Sequence, residues 1–554
     1  MNKRILIIGG YGVFGGRLAR LLLKDTRFDV LVAGRSIDKA ETFCKAHGGT
    51  PHQIDLSSDE LDEQIAACGP AIVVDAAGPF QAYDNTAPYT LARAAIACGA
   101  HYLDLSDDAA FTQGISALNA DAAAANVCVL SGVSSVPALS SSIVHALAED
   151  MRDIHAIDSA ILPGNKAPRG VSVIRAIAGQ AGRPMQIWKA GKWQTVKAWG
   201  ARTKVQLDVP DAPPIKNRWA SFIGAPDLTL FPDYFKARSV TFRAGLDLKL
   251  MHGGLAFLSL PVRWGWLSSI AALSPLLKWL ADRLEPFGSD RGGMYVEVTG
   301  TTKTGEQISR RWTLIAEGGD GPFIPAIPAQ ILCEKLLAST VHTGARPALS
   351  AFSKADAETA LSALDIKTHV TQRQILPLFA DALGASFDAL PPPLQDLHTV
   401  PSDRRWIGEA SVIRGKGALS RIIAFVAGFP PPADKTRIEV LMTRTAKGET
   451  WTRTFGDKTF RSYLSKARQA GTAKITERFG LLKFAIALSH KDGALNYPLA
   501  DGRCLGIPLP RFILPKSETR EYVDPEGRAC FDVKISLPIA GHIVSYKGWL
   551  RSAS

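Results

Sequence analysis

Only seven of the 554 residues are cysteine, at positions 44, 68, 98, 128, 333, 504 and 530. None stands in C-x-x-C spacing or near a histidine at ligand distance, which argues against a structural zinc and against a disulfide framework, so no metal is expected. Four of the seven fall before residue 130 in apolar surroundings, where small buried hydrophobes pack well, and the set fits a reducing cytoplasm. An uninterrupted apolar run of about 20 residues is also missing, so no membrane span is expected. The best candidate, 253–284, is broken by Pro261, Arg263 and Pro275. The run Ile5 to Ile8 is too short for a secretory leader and leads into glycines rather than a cleavage site. Blocks of basic residues interleaved with aromatics are absent. The net charge is +12, and from Gly384 onward 26 Lys and Arg stand against 16 Asp and Glu. These charges are dispersed, which reads as a solvated face, and no nucleic-acid partner is expected. No internal repeat is evident.

What is present is a globular composition, 46% apolar and 21% charged, in a chain long enough for two to four domains. Its opening stretch, MNKRILIIGGYGVFG, is the most informative. Ile5, Leu6, Ile7 and Ile8 form a short continuous apolar run of the kind that makes a strand buried on both faces. Gly10, Gly12 and Gly15 follow in G-x-G-x-x-G spacing, then Leu18, Leu21 and Leu22 recur at helical period. Strand, glycine turn and helix are the context a dinucleotide site needs. Gly10 makes the turn, Gly12 leaves room for a pyrophosphate, and Gly15 lets the helix lie close to the strand. The amides of Val13, Phe14 and Gly15 then face the phosphates.

A second strand, Phe28 to Ala33, ends in Gly34, Arg35 and Ser36. An NAD site carries an acid there for the ribose hydroxyls, whereas Arg35 with Ser36 suits a 2′-phosphate and points to NADP. The competing reading is a solvent-exposed arginine after a strand end. Further strands are expected at His52 to Leu56, Ile72 to Ala77, His101 to Leu105 and Val127 to Leu130. Asp55 either caps its turn or touches the adenine end. The turn Ala77, Gly78, Pro79 and Phe80 lies beyond a strand's carboxyl end and either faces the cofactor or is a plain strand-to-helix turn.

The first 350 residues resemble the saccharopine dehydrogenase-like oxidoreductases, in the broad branch that includes proteins similar to trans-acting enoyl reductases. The residues that carry the likeness are Gly10 to Gly15, Gly34 to Ser36, AAGPF at 76–80, HYLDLSDD at 101–108 and SGVSSVPALS at 131–140. The resemblance implies an NADP-binding Rossmann domain, an inserted second α/β domain and hydride transfer, with the segments after the fourth, fifth and sixth strands, Ser134 among them, bordering the nicotinamide. No Arg and His set for a dicarboxylate such as saccharopine is found. The expected class is α/β. A Rossmann parallel sheet spans 1–145, and an inserted α+β substrate or dimerisation domain spans 146–346. A linker at 347–373 and a β-rich C-terminal domain at 374–554 follow.

The C-terminal domain resembles a bacterial domain of unknown function often fused to such chains, on WTRTFG at 451–456, ERFG at 477–480, GIPLP at 506–510 and the ending YKGWL. Its alternating strands around Gly and Pro turns fit a curved antiparallel sheet with room for a hydrophobic ligand. In the second domain, 255–284 is unusually apolar, with Trp264, Trp266 and Trp279 beside Arg263, Lys278 and Arg283. It reads either as an interfacial contact with a membrane or lipid-like substrate, or as core or homodimer packing. The first of these would make the protein cytoplasmic but peripheral at the inner membrane face.

Catalysis by hydride transfer needs a side chain to move a proton, and the candidates stand at strand ends. They are Tyr83 and Asp84 after the GPF turn, Asp104, Asp107 and Asp108 after the fifth strand, and Ser134 or Ser135 after the sixth. Asp107 and Asp108 serve equally as helix caps, which such residues commonly are. The expectation is an NADP-dependent oxidoreductase for a hydrophobic carbonyl, imine or enoyl-type substrate. The alternative is a membrane- or lipid-associated binding protein whose Rossmann domain senses NADP or only supports the fold.

Overall fold

The structure, a computed structural model, describes residues 3–83, 87–168, 170–467 and 473–553. The chain forms two compact units. One holds residues up to 188, 193–298 and 310–372; the other holds 189–192, 299–309 and 373 onward.

The first unit opens with β1 (Arg4–Ile8), α1 (Gly15–Leu22), β2 (Asp29–Gly34), α2 (Ile37–His47), β3 (Thr50–Gln53), α3 (Leu61–Cys68) and β4 (Ile72–Asp75). It continues with α4 (Thr90–Ala97), β5 (His101–Asp104), α5 (Ala109–Gly114), α6 (Asn119–Ala124), β6 (Cys128–Ser131) and α7 (Ser140–Leu147). The parallel sheet has the order β6-β5-β4-β1-β2-β3, extended beyond β6 by the strand Gly344–Pro347. This is a Rossmann-like sheet. The strand order reverses between β1 and β4, the place where open α/β sheets hold ligands beyond their strand ends. Ile5 to Ile8 are almost completely buried because helices cover both faces, which is why β1 is a continuous apolar run rather than an alternating one.

A mixed nine-stranded sheet follows, with Met151–Leu162 parallel to Val240–Gly245 and Ile215–Phe222 antiparallel to the latter. Residues 347–373, read from sequence as a linker with one short helix at Lys354 to Leu364, carry the helix Lys354–Leu361 and most of the edge strand Ile366–Gln374. The apolar stretch 255–284 is several short pieces: helices Lys249–Leu258, Leu260–Arg263 and Ser274–Leu284. Pro261 and Pro275 sit in first turns, where a missing N–H is harmless, and Gly265 at φ +81° reverses the chain between them. Trp264 and Trp266 are 60% and 73% exposed, so they do not pack into this chain's own core.

The second unit is built on a thirteen-stranded antiparallel sheet with its own apolar core around Phe379, Trp406, Met442 and Val544. Along Asp403–Arg414 the side chains alternate between buried and partly exposed, the period of two that a one-sided sheet requires. All seven cysteines are unpaired. Among the described residues no helix is long and apolar enough to cross a membrane.

Candidate functional site

The turn after β1 is shaped by close backbone approaches. A Cβ on Gly15 would stand 2.3 Å from the Gly9 carbonyl oxygen, and one on Gly10 would stand 2.8 Å from that of Ile7. Such contacts admit only hydrogen. Gly12 donates its N–H to Gly9 O at 2.8 Å, which closes the turn, and Phe14 at the helix N-cap offers no side-chain cap. The amides of Val13, Phe14 and Gly15, before and at the start of α1, donate no backbone hydrogen bond among the described residues, and the helix dipole there favours an anion.

The end of β2 meets this turn through Tyr11. Its hydroxyl accepts from Ser36 N at 3.1 Å, and its ring lies so close to Gly34 that a Cβ there would stand 2.5 Å from the hydroxyl. Ser36 also caps α2 by accepting from Lys39 N at 3.4 Å. Arg35 is exposed, and its guanidinium makes no ion pair among the described residues. Asp55 is exposed too, and its Oδ1 accepts from Ser57 N and Oγ at 3.1 and 2.8 Å. That is the turn-capping use of the residue.

The strand ends β4 and β5 carry two aspartates in register, Asp75 and Asp104, neither with any exposed surface. Asp75 accepts from Ala77 N at 3.0 Å and from the Tyr83 hydroxyl at 3.0 and 2.8 Å to its two oxygens. Burial pushes its carboxyl up to about 6, against the pull of those donors. Asp104 takes Ser131 Oγ, Gly132 N and Ser106 N on one oxygen, at 2.9, 2.8 and 3.0 Å, while its other oxygen has no hydrogen-bond partner among the described residues. Burial pushes it to about 7. Tyr83 is raised as well, by burial first and by Asp75 next, so its phenol stays protonated. Phe80, Tyr83 and Tyr89 all lie against Phe111, with ring centroids 4.8 to 5.5 Å apart, and this aromatic cluster keeps the Asp75 end of the strand dry.

Residues 5–130 match the family of the saccharopine dehydrogenase NADP binding domain. Residues 390–550 match a domain of unknown function, DUF4166. No curated protein matches the chain. Among solved structures, apo saccharopine dehydrogenase (L-Glu forming) from Saccharomyces cerevisiae is similar at 14% identity, over 68% of this chain and all of that one, with a TM-score of 0.48. A probable dehydrogenase from Thermotoga maritima shares 10% identity over 65% of this chain and 93% of its own, at 0.33. A 3-ketoreductase from Actinomadura kijaniata, in complex with NADP and TDP-benzene, shares 10% over 65% and 94%, at 0.28.

Around this NADP-binding domain the candidate proton carriers separate. Asp108 is the N-cap of α5, its Oδ1 accepting from Phe111 N at 2.8 Å, which is the capping use that the sequence also offered for it. The cap has an indirect use, since it fixes Phe111 against Tyr83. Asp107 is exposed and accepts from Gln81 Nε2 at 3.0 Å. Ser134 is half-buried in the loop after β6, and Asp84 lies outside the described residues. Gly78, at φ +27°, precedes Pro79 in a cis peptide, and the turn runs Ala77, Gly78, Pro79, Phe80 into Tyr83. Of Tyr83, Asp107 and Asp108, only Tyr83 is joined to a buried carboxylate among the described residues. Sequence reasoning missed Asp75 and Tyr11. A lone acid closing the apolar strand IVVD was the available signal for Asp75; nothing local marked Tyr11.

Proposed function

We propose that the chain is an NADP-dependent oxidoreductase acting on a hydrophobic carbonyl, imine or enoyl-type substrate. The observation that carries this reading is the Tyr83 hydroxyl bound to both oxygens of the buried Asp75, at the strand end next to the glycine turn. The uncapped start of α1 would hold the pyrophosphate, and Arg35 with Ser36 the 2′-phosphate. When bound, the nicotinamide supplies or takes the hydride. The protein supplies the proton. With Asp75 neutral, its acidic hydrogen points to the Tyr83 oxygen and frees the phenol hydrogen to donate outward. As the substrate oxygen takes the phenol's proton, Tyr83 takes that of Asp75, and the carboxylate ends ionised against Ala77 N. Such a relay is matched to a donor near pH 6.

The exposed Trp264, Trp266 and Trp279 favour a second reading, in which this stretch contacts a lipid surface peripherally and the Rossmann domain reports or only supports. Decanal reduction in the presence of NADPH separates the two. The oxidoreductase reading expects turnover that Tyr83→Phe lowers about 10²- to 10⁴-fold, the usual worth of a positioned proton donor. Absence of turnover, together with flotation on lipid vesicles that Trp264→Ala with Trp266→Ala abolishes, supports the second.

A further inference from the structure

The second unit encloses a cavity of about 1010 Å³, at the upper end of the usual range for ligand pockets, about 300–1,000 Å³. Phe531, Val533 and Ile535 line it from one strand, and Phe484 and Ile486 from another. These strands, Ala529–Leu537 and Leu482–Ala487, are far apart in the hydrogen-bonded order, so the sheet curls until its inner face meets itself around the space. The lining positions run i, i+2 along each strand, as a pleated sheet with one apolar concave face dictates.

Deep on the wall the charged groups are already matched, and the other charged lining residue, Arg461, is solvent-exposed. Arg453 donates to Ser462 Oγ at 2.7 Å and to Glu477 Oε1 at 3.3 Å, and its guanidinium lies 4.9 Å from the Trp451 ring centre. Glu521 accepts from Tyr497 at 2.6 Å and pairs with the fully buried His398 at 2.5 Å. An occupant whose charged end entered the inner space beside them would have to break one of these pairs in a dry setting, which costs more than it returns. An uncharged molecule with one hydroxyl or carbonyl leaves both intact and can still meet their remaining donors.

The mouth is marked by side chains that line the cavity and still face solvent. Ile422 and Val426 of the helix Ala418–Val426 are 60% and 80% exposed, and Leu481 in the turn across from it is 65% exposed. The same helix exposes Phe425. Apolar side chains exposed together at an opening mark a place where an apolar ligand or surface is met.

We propose that the second unit binds an uncharged lipophile, a long-chain alcohol, neutral lipid or isoprenoid by class, through the opening between that helix and the turn at Leu481. The test uses the full chain and Nile red, an uncharged apolar dye, with hexadecanol and hexadecanoate as competitors. Saturable binding at one site per chain, displaced by hexadecanol better than by hexadecanoate, is expected. Val533→Trp, which fills the space, weakens it about tenfold or more. Glu477→Gln, a near-isosteric change that strips Arg453 of its counter-charge, shifts the preference toward hexadecanoate. Unfolding by circular dichroism checks that each variant is folded. No saturable binding by the unaltered chain, undiminished binding by folded Val533→Trp, or a preference for hexadecanoate in the unaltered chain overturns the proposal. If Val533→Trp does not fold, the Glu477→Gln reversal decides it, an unchanged preference counting against.

Discussion

Asp75 and Asp104 are ionisable groups that the fold forces into a dry place, and their protons should show in both stability and rate. Both carboxyls are raised, to about 6 and about 7, above the ordinary 3.8. The folded state therefore binds protons that the unfolded state has released. Their contribution to stability is fully present below the unfolded value and is lost as pH rises through the folded values, at about 1.4 kcal/mol for each tenfold gain in proton affinity of an uncoupled group. Asp104→Asn keeps an oxygen for Ser131, Gly132 and Ser106 and removes the ionisation. Its melting temperature should fall less than that of the unaltered protein between about pH 5 and pH 8, as calorimetry would show. Equal falls would mean Asp104 titrates normally. In the rate, decanal reduction should decline as pH rises past about 6, and Asp75→Asn should flatten that decline. Tyr11 offers a smaller prediction. Tyr11→Phe removes the acceptor of Ser36 N and should cost about 1 kcal/mol in denaturant unfolding, whereas Gly34→Ala must displace the ring and should weaken NADPH binding as well.

At the scale of elements, what periodicity and turn chemistry could carry was legible. The continuous run Ile5–Ile8 and the glycine spacing after it place β1, the turn and α1, because burial on both faces and backbone crowding leave few other residues workable. The antiparallel character of the second unit was legible in alternation. The strand Gly344–Pro347 was not, since four residues with a glycine and a proline carry no period and form a strand only because β6 offers an edge. Nor was Ile366–Gln374, a mostly polar strand at a sheet edge. The site was legible where backbone geometry demands a residue type, at Gly10, Gly12 and Gly15. It was not at Asp75, whose role depends on Tyr83 eight residues away and on the seal made by Phe111. One buried pair anchors the entry to the apolar stretch: Arg218 donates to Asp247, and Asp247 also accepts from Ser289 N and Oγ at 2.8 and 2.9 Å. Asp247→Ala leaves that guanidinium uncompensated and should cost about 3–5 kcal/mol, measured by denaturant titration. A loss under about 1 kcal/mol would show the pair to be solvated.

For the whole molecule, a first unit whose residues 5–130 match the saccharopine dehydrogenase NADP binding domain precedes a unit that curls around an apolar cavity, and the proposed redox chemistry belongs to the first. All of it depends on the dinucleotide being held where the glycine turn, Tyr11 and Arg35 converge. The most direct measurement is a fluorescence titration of the full chain with NADPH and with NADH, repeated on Arg35→Ala. Arg35 should act as a charge-assisted donor to the 2′-phosphate, so NADPH should bind at least about tenfold tighter than NADH, and the substitution should erase that difference while leaving NADH binding unchanged. Failure of both nucleotides to bind, or an NADPH affinity indifferent to Arg35, would contradict it.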